Sequence, residues 1–463
     1  MNDATGPAGT GPVEPSAGTD PVDSRLLTVT LGPVAHGGHF VARHEGRVIF
    51  VRHGLPSETV QIRLTDAPPD AKFWRADVVD VVDPSPARVP HHWKPADALA
   101  AAVEGRQPVG GAEFGHIDLA VQRRLKANVL AEQLQRLGGL EQHTEVEAAD
   151  PETGGGMHWR TRVAFAVDPA SGRLGMHPHR SSEIVPVSSM PLALSAIEEL
   201  SLWRVDFSGM ERVEVAAPGN GSRPLILLVP RPPLDRRAVD DVVRRLPADA
   251  SVALWEPDGG SGDGSGQLTR LRGRTWVSES AGGHQYRVTG DGFWQVHHRA
   301  PDVLMEAVLG GLDPQPGARI ADLYAGAGLF TVPLADAVGE TGSVLSVEAA
   351  PGTSRDARRN LHGFGNVDIV QGRVERVLRS RTAGWDCVLL DPPRTGAGKQ
   401  VIRELVRARP AAVGYVSCDP ASFARDVGYF RRAGWRLQNL RAFDLYPHTH
   451  HLETFAVITP GFA

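Results

Sequence analysis

From about Gln285 to its end, the chain repeats one unit: a short apolar run, a turn, then a helical stretch. The runs read RIADLYA, SVLSVEA, VDIVQG, DCVLLDPP, AAVGYVSC and LQNLRAF, with a last strand near TFAVIT. Apolar strands alternating with helices predict a parallel sheet covered on both faces, in an α/β domain spanning 285–463. No other feature constrains the fold as tightly. In such sheets ligands collect outside the carboxyl ends of the strands, so the chemistry-bearing residues are sought there.

The first strand ends in Asp322-Leu-Tyr-Ala-Gly326-Ala-Gly328, which opens a helix. Gly326 and Gly328 allow close backbone approach to a ligand at the helix N-terminus. Glu348 ends the next strand, where a carboxylate can hold two ribose hydroxyls. A dinucleotide fingerprint wants Gly or Ala at 331, and Thr331 stands there. An acid before the glycines and no third glycine fit S-adenosylmethionine better than NAD. Alone, the turn is a weak signal, since a structural glycine turn in an α/β domain also fits it. The fourth strand runs into Asp391-Pro392-Pro393-Arg394, and the fifth into Val416-Ser417-Cys418-Asp419-Pro420. A cleft thiol becomes a nucleophile when its pKa is lowered. By itself Cys418 is as readily an inert core residue, as Cys387 within DCVLL is expected to be. Glu453, just before the last strand, is by itself a surface glutamate.

Ahead of this domain the pattern differs. LLTVTL, HFVARHEGRVIFVRH, TVQIRLTD and RADVVDVV are short β-rich runs with Gly and Pro turns, and Glu45-Gly46 marks a hairpin. They predict a small barrel over 25–86. Residues 87–284 read as a mixed α+β domain, with a helix in LAVQRRLKANVLAEQLQRLGGL and a hairpin tip in GGSGDGSG. Residues 1–24 are rich in Gly, Pro and Ala and are expected to be disordered.

Composition narrows the function classes. A net charge of −5 over 463 residues leaves no global electrostatic footprint for nucleic acid, so any such contact is local. Two cysteines exclude a disulfide scaffold and a four-cysteine metal site, and point to a reduced, cytoplasmic protein. No apolar run of about 18 residues is present to span a bilayer.

Taken in order, FWQVHH, DLYAGAGLF, VLSVEA, DPPRTG, YVSCDPASFARD and HLETF make the chain resemble the S-adenosylmethionine-dependent RNA 5-methyluridine methyltransferases. The resemblance covers essentially the whole folded chain. It implies a Rossmann-like class I methyltransferase domain behind an OB-like TRAM barrel and a central RNA-binding domain. By the same resemblance, Cys418 matches a nucleophile adding to carbon 6 of uracil, and Glu453 the base removing the carbon 5 proton. Gln295, Tyr324, Glu348 and Asp391, beside Gly326 and Gly328, match cofactor-contacting positions. The chemistry agrees: carbon 5 of uracil is a poor nucleophile until something adds at carbon 6.

The sequence also departs from the family. Val109-Gly110-Gly111-Ala112 stands where relatives often carry a Cys-Gly-Gly-Cys element, so no iron–sulfur cluster is expected, although His116, Gln122 and Lys126 are family-like. Leu329, His297 and Asp419 replace frequent asparagines, and Arg373 sits where relatives place acids. His91, His92 and His116 are read as structural or RNA-facing rather than as metal ligands. For RNA, either transfer RNA or large-subunit ribosomal RNA, two faces are expected. One is the barrel with Arg43, Arg47, Arg52, Lys72, Trp74 and Arg75. The other holds Arg160, Arg162, Arg173 and Arg180, with His158, His177 and His179. A monomer is expected. The competing readings are an amino-directed nucleic-acid methyltransferase, which has no use for Cys418 and Glu453, and a catalytically retired RNA-binding protein, which would not keep them beside the glycine turn.

Overall fold

The computed structural model describes residues 26–461 apart from 151–153, 258–265 and 382–383. The expected tail over 1–24 lies outside the described residues, as does all but the last residue of the Gly/Ser hairpin tip.

Six short strands build the N-terminal barrel: β1 (Leu26–Thr30), β2 (Val34–Ala35), β3 (His39–His44), β4 (Arg47–Arg52), β5 (Thr59–Asp66) and β6 (Phe73–Asp83). Their order is β1-β5-β6-β4-β3-β2, and Gly32 donates to the Val41 carbonyl to draw the first strand's end onto β3. Alternation puts Phe40, Ala42, Ile49, Val51, Val60 and Ile62 inside. The β3–β4 hairpin turns at Glu45 and Gly46, both at positive φ (48° and 81°), as a tight two-residue turn demands.

After helix α1 (Ala98–Val103), helix α2 (Leu119–Gln133) starts at Asp118, whose carboxylate accepts from the amides of Ala120 and Val121. Strand β7 (Val146–Ala148) follows. The central sheet comprises β8 (Arg162–Val167), β9 (Leu174–Met176), β10 (Val185–Pro186), β11 (Met210–Ala216), β12 (Leu225–Pro230), β13 (Ser251–Pro257) and β14 (Gly266–Arg272). Helices α3 (Ser195–Glu199) and α4 (Arg236–Arg245) accompany it. A separate hairpin, β15 (Trp276–Ala281) with β16 (His284–Thr289), spans the expected boundary at 284/285.

The C-terminal unit is α5 (Ala300–Leu312), β17 (Arg319–Leu323), α6 (Thr331–Val338), β18 (Ser343–Glu348), α7 (Pro351–Asn360), β19 (Val367–Gln371), α8 (Val374–Ser380), β20 (Cys387–Leu390), α9 (Gly398–Ala408), β21 (Ala412–Ser417), α10 (Pro420–Arg432), β22 (Trp435–Asp444) and β23 (Glu453–Pro460). The sheet order is β19-β18-β17-β20-β21-β23-β22-β7. Two buried clusters cover it, one around Leu304, Ile320 and Phe455, the other around Leu323, Leu390 and Tyr415.

The sheet is parallel from β19 to β21, but β23 runs antiparallel to both β21 and β22. That corrects the all-parallel expectation. The physical reason is connection length: with no helix between β22 and β23, a parallel return is not available. The outermost strand, β7, comes from far upstream, and Leu130 of α2 with Leu134 just after it packs into the same core.

Both expected RNA faces lose members to the interior. Arg52 is buried in a two-pronged ion pair with Asp77, at 2.8 and 2.7 Å. Arg160 gives its Nε to the Arg162 carbonyl, and Arg162 reaches the Gly292 carbonyl. Both fill the junction between the central sheet and the segment before α5 instead of facing solvent. Arg173 and Arg180 remain exposed. Val109 and Ala112 are buried in the apolar core of the central domain. His91 and His116 bond the carbonyls of Ala112 and Gly54, both at 3.0 Å, which is a structural use.

Candidate active site

Four strand ends meet at the carboxyl edge of the sheet. Tyr324 follows β17, Glu348 ends β18, Asp391 follows β20, and Cys418 follows β21. Glu453 arrives by the antiparallel strand. The β21–β23 ladder ends with Ser417 paired to Thr454, so Cys418 and Glu453 each lie one position beyond that last pair, at adjoining ends of the two strands. The thiol and the carboxyl are near enough for the charge of Glu453 to act on Cys418.

The electrostatics follow from burial. Glu453 is 3% exposed, and burial with the charge of Asp391 pushes its carboxyl up to about 8. The Tyr446 hydroxyl, donating at 3.0 Å, and the Arg394 guanidinium pull it down. Burial also raises Asp391 to about 7, helped by Asp322 and Glu348. For Cys418 the outcome reverses the expectation of a lowered thiol pKa. Burial, then the carboxylates of Glu453 and Asp391, push the thiol up, while Arg394 opposes them. The resting group is a thiol, and its proton must leave before it attacks anything. Cys387 is half-buried against the Leu312 carbonyl, and burial raises it too.

The glycine turn leaves open space above its backbone. Gly326 (φ 56°) and Gly328 (φ 91°) both need the left-handed region, and a Cβ on Gly326 would meet no heavy atom within 4 Å. The Gly326 amide donates to Glu348 at 3.0 Å, and Ala350 donates to the same carboxylate at 2.6 Å. Beneath the turn, Asp322 accepts from the Thr331 hydroxyl at 2.5 Å, which explains a threonine where a dinucleotide site wants glycine. The other Asp322 oxygen is buried without a partner. Burial raises Asp322 to about 7. Three carboxyls therefore crowd one turn. That set repels a pyrophosphate and suits a cation, so it fits the sulfonium and ammonium of S-adenosylmethionine.

Tyr324, at φ 67°, lies between this turn and the Asp391 edge, its amide bonded to the Val347 carbonyl. Gln295 is 5% exposed and lines a second cavity, of about 200 Å³, with Glu279 and His297. The structure does not bring it into the cavity that holds Cys418. Of the substituted positions, Leu329 is buried and accepts from the Tyr286 hydroxyl, and His297 stacks on Trp159. Asp419 caps α10 by accepting from the Ser422 amide at 2.7 Å, and Arg373 lies 3.5 Å from Glu375.

Cys418 opens on a cavity of about 210 Å³ whose walls also carry Arg394, Lys126, His450 and His451. Sequence reasoning missed Tyr446 as the partner of Glu453, and gave Arg394 no role of its own. Tyr446 has no motif signal. Arg394 sat in plain view after Asp-Pro-Pro, but nothing in the sequence aims a guanidinium at a strand two places away.

Comparison with known proteins identifies the family and the fold. The model for tRNA (Uracil-5-)-methyltransferases matches residues 280–459, and the TRAM domain model matches residues 25–79. A Streptomyces avermitilis protein named as an uncharacterized RNA methyltransferase is 43% identical over 94% of this chain and 98% of its own. A 23S rRNA (uracil(1939)-C(5))-methyltransferase of Shewanella is 30% identical, covering 91% of this chain and 93% of its own. Among solved structures, Pyrococcus abyssi tRNA (uracil-54, C5)-methyltransferase in complex with S-adenosyl-L-homocysteine shares the fold. Its TM-score is 0.70 at 20% identity, over 93% of this chain and 99% of that one. No helix among the described residues is long and apolar enough to cross a membrane. With the fold shared and relatives matched along nearly their whole length, the chain belongs to the family of RNA (uracil-5-)-methyltransferases.

Proposed function

We propose that this protein transfers a methyl group from S-adenosylmethionine to carbon 5 of a uridine in RNA, in the cytoplasm, with Cys418 as nucleophile and Glu453 as base. The observation that carries the reading is the placement of Cys418 and Glu453 just past the last pair of the β21–β23 ladder, with the charges of Glu453 and Asp391 both acting on the thiol. When bound, S-adenosylmethionine supplies an electrophilic methyl. Gly326, Gly328, Tyr324, Glu348, Asp391 and Gln295 are the residues proposed to hold it. The Cys418 thiol gives its proton to solvent, its sulfur bonds carbon 6 of a uracil turned out of its stack, and the C5–C6 π electrons shift to make carbon 5 enolate-like, so that it accepts the methyl. The Glu453 carboxylate then takes the carbon 5 proton, and the carbon–sulfur bond breaks to restore the ring double bond. A base with a pKa near 8 matches a weak carbon acid better than an ordinary glutamate does.

The cavity beside Cys418 is smaller than the ~300–1,000 Å³ of drug-sized sites, which suits a single base. Large-subunit rRNA is the first substrate to test, because the Shewanella relative that matches along nearly its whole length carries that specificity in its name. RNA containing 5-fluorouridine should trap a denaturation-resistant adduct on the wild type and none on Cys418→Ala. Glu453→Gln should accumulate an adduct on ordinary RNA. Methyl transfer by Cys418→Ala would sink the covalent reading. Mass-spectrometric mapping of 5-methyluridine in a deletion strain separates ribosomal from transfer RNA.

A further inference from the structure

The barrel contributes a wall of the cavity that holds Cys418. Val34 of β2, and His36 and Gly37 of the turn after it, line the same space as Arg394 and Cys418. The turn is seated closely. A Cβ on Gly38, which has φ 76°, would lie 2.6 Å from the His450 Cβ and 3.3 Å from the Phe114 ring. From this turn the His36 Nε2 reaches Oδ2 of Asp419 at 2.9 Å, joining residues 383 apart in sequence.

Asp419 is the residue after Cys418, and its surroundings are knitted. Its other carboxylate oxygen accepts from the Ser422 amide, its carbonyl accepts from the hydroxyls of Ser417 and Ser422, and its amide donates to the Ser417 hydroxyl at 3.3 Å. All of those partners lie within the catalytic unit. His36 ties the same side chain to another domain. The bond to Asp419 raises the His36 imidazole above its ordinary value despite burial, with Glu132 of α2 adding to it, so the contact gains ion-pair character.

We propose that His36 is a positioning residue for methyl transfer: through Asp419, the barrel holds the backbone that carries Cys418 and completes the uracil pocket. The proposal rests on the reading of Cys418 as nucleophile. A barrel tether of this kind makes docking of the RNA-binding module and alignment of the thiol one event.

The test is a double-mutant cycle with full-length protein. Asp419→Ser keeps a helix-capping oxygen but withdraws the arm that meets His36. His36→Ala and Asp419→Ser should each lower kcat on RNA about tenfold, in the range that small misplacements of a reacting group produce. The double variant should be no slower than either single one. The rate of adduct formation on 5-fluorouridine RNA should fall in the same ratio, with S-adenosylmethionine affinity and thermal midpoint unchanged. His36→Gln, whose amide nitrogen can occupy the Nε2 position, should recover to within about threefold of wild type, because the hydrogen bond survives without the charge. Multiplying losses in the double variant, unchanged adduct rates in His36→Ala, or a parallel fall in cofactor affinity would each overturn the proposal. Absence of any adduct on the wild type would instead fault the nucleophile assignment, and the proposal would fall with it.

Discussion

The Tyr446 hydroxyl donates a 3.0 Å hydrogen bond to Oε2 of Glu453, and it does so from the turn that joins β22 to β23. This bond lowers the Glu453 carboxyl against the larger upward push of burial. A base that must be ionised to accept a proton works on the alkaline side of its pKa, so the rate should rise with pH through about 8. Tyr446→Phe removes a stabiliser of the charged form and should move that limb upward by roughly half to one pH unit. The pH profile of single-turnover methylation checks it. A limb that stays in place or moves down rules the coupling out.

The same turn is pinned from below. Lys126 of α2 bonds Oδ1 of Asp444 at 2.6 Å and the Tyr446 carbonyl at 3.0 Å, with both side chains of the pair almost wholly buried. Removing one partner of such a pair strands the other charge, at roughly 3–5 kcal/mol. Lys126→Met should therefore lower the denaturant midpoint sharply and release the turn carrying Tyr446. Adding Asp444→Leu should return much of the lost stability, since the stranded carboxylate is gone. A midpoint for Lys126→Met within about 1 kcal/mol of wild type would contradict burial of the pair as the cause.

How much of this was legible in the sequence depends on the kind of signal. Apolar runs place Glu348, Asp391 and Cys418 at strand ends, and the rule about carboxyl edges then gathers them. The nearness of Cys418 to Glu453 was not legible, because it depends on β23 running antiparallel beside β21, and periodicity carries no strand direction. Charge was the poorest guide. Arg52, Arg160 and Arg162 read as a basic surface, yet each is turned inward to partners that composition does not reveal. His36 and Asp419 are 383 residues apart, and neither belongs to a spacing that would link them.

Opposing titrations should give stability a maximum near neutrality. His53 and His116 are fully enclosed between the barrel and the segment following it, and burial holds both well below their ordinary value. His448 is lowered to about 4 and His451 to about 3, again by burial first. A histidine lowered in the folded state contributes stability that is lost as pH falls below the unfolded value of about 6.5. Asp322, Asp391 and Glu453 act in the opposite sense. They hold protons up to pH 7–8 when folded, so their contribution is lost as pH rises from about 4 through that range. His39, His91, His179 and His297 are lowered too, and Glu279 is raised to about 7, so eight histidines stand against four acids and stability should climb from pH 5 to about 7 and decline toward pH 8. Guanidinium midpoints at those three values decide it, and a monotonic trend would refute it.

Gly326 offers the sharpest separation of folding from cofactor binding. Its φ of 56° makes Gly326→Ala strained, by about 1–2 kcal/mol. The added methyl touches nothing in the protein, since no heavy atom lies within 4 Å of its position. The amide bond to Glu348 does not depend on the side chain and should survive. The variant should therefore fold with a modestly lower midpoint. If the open space above the turn is where S-adenosylmethionine lies, the methyl occupies it, and affinity measured by calorimetry should fall about tenfold or more, the equivalent of at least ~1.4 kcal/mol. Wild-type affinity in a folded Gly326→Ala protein would move the cofactor off this turn, and with it the roles proposed for Glu348 and Asp391.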